Sequence, residues 1–202
     1  MTSIPADLEI QDRLKLIESM LAQGRRTTER WAWSFVFWGL AYYVAILWTA
    51  VSHWPFAWLV TMMGAWLLHS VIVWSKHQGR TQRSPSTTVG RAIAATWIAM
   101  GISLASLLIA LGFAGLFNQH IFVAIVASML GVTNGATGML LRWKAQIACA
   151  VVWWVAAVAA CFGSEQQCTG VFLVAIFLGQ IVFGIYGMIC EARLRRQEAA
   201  NV

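Results

Sequence analysis

The side chains in this sequence with reactive or ligand-binding chemistry are few: four histidines, four cysteines, some deeply placed amides and twelve tryptophans. His69 lies in the inner third of an apolar run, where an imidazole is a candidate for proton exchange, metal ligation or ligand contact. No Asp or Glu occurs between Glu29 and Glu165. His69 therefore has no carboxylate for a charge relay and no second metal ligand beside it, and a plain structural hydrogen bond is the competing expectation. The same gap argues against a proton-coupled carrier, which normally employs an acid at mid-depth.

His53, His120 and Cys168 each immediately precede an apolar run. Three equivalent hairpins would place these two imidazoles and one thiolate at equivalent sites, a donor set suited to zinc or copper, with Glu165 or Cys161 as a fourth ligand. No tight ligand spacing within one segment adds to that set. A disulfide between Cys161 and Cys168, which bracket one turn, competes for the same thiol because a bridged sulfur cannot ligate. Free buried thiols are the third expectation for this pair. Cys149 and Cys190 read as small, reduced core residues.

Asn134 and Gln180 fall near the middle of their runs. Gly131, Asn134, Gly135 and Gly138 stand at i, i+3, i+4 and i+7, one helical face, with Thr133 and Thr137 alongside. Small residues let helices approach closely, and an amide in lipid must find a partner. Helix packing with a hydrogen-bonded amide is one reading; a polar lining for a substrate path, with Asn134 opposite Gln180, is the other. Eight tryptophans lie between residues 31 and 74. Trp31, Phe35, Trp38 and Tyr42 share a face, with Trp66 on the neighbouring run. Such a wall either packs against other helices or holds a planar or quaternary-ammonium compound against its π-faces.

The elements that carry these residues follow from composition. Of 202 residues, 59% are hydrophobic and 11% charged, against about a quarter charged in soluble domains. Six apolar runs, near 31–52, 55–75, 92–113, 121–141, 146–162 and 169–190, approach the roughly 20 residues that a hydrocarbon core requires. The net charge of +6 does not point to nucleic acid, because the cations all gather at one end of the runs. After Arg13 and Lys15 in the N-terminal segment they are Arg25, Arg26 and Arg30, then those within 76–91, then Arg142 and Lys144, then those within 193–196. The opposite turns, 51–57, 113–120 and 163–168, carry only Glu165. The positive-inside rule then predicts an all-α polytopic membrane protein of the bacterial inner membrane. Its six transmembrane helices form three hairpins, 31–76, 91–144 and 146–196, within a bundle spanning 31–202. Both termini are cytoplasmic, and the basic face meets anionic headgroups.

Each hairpin has a glycine in its second run, Gly64, Gly131 or Gly179, followed by Lys76, Arg142 or Arg193. An internal duplication and a shared hairpin grammar both account for that pattern. Residues 1–30 form a separate unit. Asp7, Glu9, Asp12 and Glu18 interrupt them, so they do not read as a cleaved signal. They read as a short cytoplasmic amphipathic helix with Pro5 in its first turn and its stop at Gly24. Ile10, Leu14, Ile17 and Leu21 make one apolar stripe, suited to the membrane surface, to oligomerisation or to a partner.

The segments Ile17-Glu18-Ser19-Met20, Phe35-Val36-Phe37-Trp38-Gly39, Gly90-Arg91 leading to Trp97, and Gly131 to Gly138 before Arg142-Trp143-Lys144 resemble a family of uncharacterised bacterial six-span membrane proteins. The resemblance extends over most of the chain. It implies a six-span fold and genes that often neighbour small winged-helix regulators, and it supplies no catalytic residues.

No nucleotide, nucleophile-elbow or zinc-protease motif occurs, and the loops are too short for a soluble catalytic domain. The sequence therefore reads as a non-enzymatic protein with no implied cofactor and no nucleic-acid partner. Its first functional reading is an interaction or sensing component with a cytoplasmic protein partner or a second copy of itself. The alternative is a facilitator or channel for a small neutral, lipophilic or cationic compound, lined by Trp38, Tyr42, Trp66, His69, Asn134 and Gln180.

Overall fold

The computed structural model describes residues 6–54, 56–78, 88–116 and 118–200, and every regular element among them is helical. Pro5 and most of the basic loop, 79–87, lie outside the described residues. The order is α1 (Ala6–Arg30), α2 (Ala32–Ser52), α3 (Ala57–Gln78), α4 (Thr88–Phe113), α5 (Gln119–Leu140), α6 (Lys144–Ala159), α7 (Glu165–Ile176), a π-helical segment (Phe177–Val182) and α8 (Phe183–Ala200). Five stretches are long and apolar enough to cross a membrane: Ile10–Ser52, Ala57–Lys76, Thr88–Phe113, Gln119–Leu140 and Glu165–Gln197. By that measure the chain is a membrane protein. α6 has 16 residues, about 24 Å at 1.5 Å per residue, which is shorter than a hydrocarbon core of about 30 Å.

Local chemistry sets the helix ends. His53 closes α2 in the left-handed conformation (φ 51°), donating its backbone N–H to Thr49 O. The Asn118 side chain caps α5 by accepting from His120 N at 2.8 Å. Ser164 and Gln167 form a reciprocal capping box at the start of α7, satisfying two otherwise orphaned donors. This box starts the last apolar helix at Glu165, four residues before the expected 169. Arg142, with φ 49°, lets the chain reverse tightly between α5 and α6, and Trp143 N bonds back to Gly138 O at 2.8 Å.

The helix expected to stop at Gly24 continues to Arg30. Gly24 is a contact point: a Cβ there would lie 2.7 Å from Leu141 Cδ2 and 3.0 Å from Val89 Cγ1. The absent side chain lets α1 press against the ends of α4 and α5.

The core is built on α5 and α6, flanked by α7, α8 and α2, whereas α3 leans mainly on α2 and α4 on α5. Between helices in lipid the driving force is packing rather than release of apolar surface from water, and this packing is glycine against indole. Trp154 lies against Gly131 and Gly135, and Trp153 lies against Gly179. α2 runs antiparallel to the last helix through Gly39 beside Gln180, Val36 beside Gly184 and Ala32 beside Gly187. α1 extends the same seam, bringing Glu29 near Glu191.

Candidate functional site

Two constellations concentrate the polar chemistry. The first surrounds His69. From the start of α2, Ser34 Oγ lies 2.8 Å from His69 Nε2, and the Trp33 ring stacks on the imidazole with centroids 5.2 Å apart. Phe37 and Trp38 stand at 5.5 and 5.6 Å. The Lys76 ammonium sits 3.8 Å from the Trp33 centroid, a cation–π geometry. The periodicity of α2 places Trp33, Ser34, Phe37 and Trp38 on the side that meets α3.

The expected aromatic wall is divided among three contacts. Phe35 packs edge-on to Trp97 and Phe183, Tyr42 meets Trp58 and Phe172, and Trp38 joins His69 while Trp31 stacks on the Trp33 that covers it. Trp66 is 61% exposed. The proposed lining residues are thus not brought to one place.

The second constellation is interior. Asn134 is fully buried on α5, its Nδ2 donating to Leu130 O at 2.9 Å and its Oδ1 without a hydrogen-bond partner. Gln180, in the π-helical segment, has an unpartnered Oε1; Gln146, fully buried on α6, has neither amide atom bonded. Cys149 Sγ donates to Gly179 O at 3.2 Å, so α6 turns its Gln146, Cys149 and Trp153 row toward the π-helical segment. A buried orphaned polar atom costs about 1–3 kcal/mol, and π-helical insertions recur at functional sites. Asn134 and Gln180 are not bonded to one another. Gln146, Trp153, Trp154, Trp33 and Ser34 were not singled out in the sequence. Gln146 lay at the edge of a run beside Lys144, where an amide reads as interfacial.

The glycine face of α5 is where the sequence put it. Gly131, Gly135 and Gly138 are buried, and Gly138 meets Ile147 and the backbone of Gln146. The other candidates disperse. His53 is exposed at a helix end, His120 Nδ1 bonds Ala160 O at 2.7 Å, and Cys168 is buried with its thiol toward Gln119 O. Among the described residues no three His, Cys, Asp or Glu side chains group as metal ligands. Cys161 and Cys168 are free thiols: Cys161 Sγ donates to Ala157 O in the last turn of α6, and the Cys168 thiol is directed to Gln119 O.

α1 has two halves. Toward its C-terminus, Thr28 and Glu29 are buried, Arg25 lies 5.2 Å over the Trp143 ring and its Nε donates to Glu29 Oε1 at 3.2 Å. Burial pushes the Glu29 carboxyl above the usual carboxylate range; Arg25 opposes that shift and Glu191 adds to it. Toward its N-terminus, Ile10, Leu14 and Ile17 are each more than half exposed, and Leu16 and Met20 are exposed beside them.

The chain matches no family model, no curated protein and no solved structure.

Proposed function

We propose that the protein is a six-span component of the bacterial inner membrane that presents α1 to a cytoplasmic partner, as part of an interaction or sensing module. α2 to α6 supply five crossings, and α7, the π-helical segment and α8 together supply the sixth. Both termini and every basic group are cytoplasmic, and α6 crosses by drawing on the turns at each end. One observation carries the reading: the apolar stripe of Ile10, Leu14 and Ile17 is uncovered on a helix whose other half is clamped to α4, α5 and α8. A stripe that continues a docked helix past the bundle's basic end is a rigid projection, and helix-in-groove recognition reads i, i+4, i+7 anchors of this kind.

Photo-crosslinking residues placed in cells at Leu14 and Ile17 are expected to give a discrete adduct, and the same probe at Lys15 and Ser19 none. The added mass identifies the partner, 22.3 kDa denoting a second copy. Equal labelling at all four positions, or none at any, defeats the proposal.

A second reading, a facilitator or channel for a small neutral, lipophilic or cationic compound, is favoured by the orphaned amides of Asn134, Gln146 and Gln180 beside a π-helical segment. Liposome flux that is unchanged in Asn134→Leu and Gln180→Leu removes it.

A further inference from the structure

A surface cavity of about 400 Å³ opens between α2 and α3 near the basic end, bordered by Trp31, His69, Ser70, Val73 and Trp74. Its one titratable wall is His69. Ser34 Oγ engages Nε2 at 2.8 Å, and Trp33, Phe37 and Trp38 enclose the ring at 5.2 to 5.6 Å. The imidazole is therefore held in place, with Nδ1 lacking a partner among the described residues. In the tautomer in which Ser34 Oγ donates to Nε2, Nδ1 carries the proton and is a donor.

The charge around the cavity has one sign. Lys76 is held 3.8 Å over the Trp33 ring that stacks on His69, and Arg30 precedes Trp31 in the chain. The neighbouring acid, Glu29, is bonded to Arg25 and lies near Glu191 on the α8 side, and the next acid in the sequence is Glu165. Trp31 and Trp74 flank the opening with indoles, which favour the headgroup level of a bilayer. Val73 and the lipid-exposed Trp66 and Val71 continue outward along α3 as an apolar track. Basic pockets between transmembrane helices, at the end that meets the headgroups, hold anionic lipid.

We propose that this cavity binds an anionic phospholipid, its phosphate meeting the His69 imidazole and the Lys76 ammonium and its chains following Val73 along α3. This goes beyond the interaction reading and does not depend on which way the chain is inserted, because the test uses micelles, which have no leaflets.

Native mass spectrometry of the full chain in detergent, with palmitoyl-oleoyl phosphatidylglycerol, the same-chain phosphatidylcholine and inorganic phosphate offered separately and in competition, reads it. One phosphatidylglycerol is expected to be retained over phosphatidylcholine. Lys76→Gln is expected to lower that retention by about fivefold, the weight of one cation near the headgroups. His69→Leu lowers it as well, while Trp48→Leu, at the far end of α2 from the cavity, leaves it unchanged. Lys76 is exposed, so its variant keeps the test valid if His69→Leu fails to fold. Equal retention of the two lipids, or unchanged phosphatidylglycerol retention in Lys76→Gln, overturns the proposal. Binding of inorganic phosphate that displaces the lipid also overturns it and assigns the site to a soluble phosphate compound.

Discussion

At the scale of single residues, the interior is governed by where a side chain is missing. A Cβ on Gly131 would fall within 2.6 Å of Trp154 Nε1, and one on Gly135 within 2.8 Å of the same ring. Both distances are to the ring itself, so the indole must shift for either methyl to fit. Gly131→Ala is therefore expected to lower stability by about 1–3 kcal/mol through overpacking, and Trp154→Phe in the same chain to recover part of the loss. A Cβ on Gly64 would meet nothing within 4 Å, so Gly64→Ala is expected to be neutral or stabilising by up to about 1 kcal/mol. Thermal unfolding in one detergent compares all four proteins; equal losses at 131 and 64 contradict the packing account. Glu29 offers a pH signature. The folded chain holds its proton more tightly than the unfolded chain, so between the ordinary carboxylate value of 4.5 and the raised one the folded state carries more protons. Stability then rises as pH falls into that window and is lost as the carboxyl ionises above it. Unfolding temperatures from pH 7 down to 5 should climb more steeply in wild type than in Glu29→Gln, and identical slopes would remove Glu29 as the cause.

At the scale of elements, caps decide where helices begin. Ser164 accepts from Gln167 N at 3.4 Å and donates its own N–H to Gln167 Oε1 at 2.8 Å. Ser164→Ala is expected to cost about 0.5–2 kcal/mol and to speed hydrogen exchange in the first turn of α7, with α5 unaffected. The apolar runs and the stripe on α1 are legible because helical period and run length are local properties. The role of Gly24 is not, because a glycine at a helix stop and a glycine at a helix contact look alike in sequence, and only the nearness of Val89 and Leu141 separates them. The aromatic face of α2 is legible as a face. Its division among Trp97, Trp58 and His69 is hidden, because that depends on three helices far away in the chain. For the same reason the pattern shared by Gly64, Gly131 and Gly179 is visible, while the adjacent indoles of α6 that meet the last two, and the open space at Gly64, are not.

At the scale of the molecule, basic side chains meet aromatic ones at one end of the described bundle. Arg25 over Trp143, Lys76 over Trp33 and Gly24 against Val89 join α1, α2, α3, α4 and the α5–α6 turn there. The opposite end is joined by Trp58 against Phe122, His120 to Ala160 O, and the Gln119 side chain to Thr169 and Glu165 O. Moving a cation across the bilayer is costly, so the proposed orientation, with the basic end cytoplasmic, is the one the positive-inside rule expects. In a background without native cysteines, Asn118→Cys should react with a membrane-impermeant maleimide in intact cells. Ser75→Cys should react only after permeabilisation. Both residues are exposed, so failure to label is not a matter of burial. Labelling of position 118 solely after permeabilisation inverts the protein and turns α1 away from the cytoplasm, whereas labelling of both positions in intact cells means that α3 and α4 do not form the crossings assigned to them. Inversion removes the cytoplasmic partner of α1 and leaves the lipid cavity between α2 and α3, which rests on contacts within the bundle.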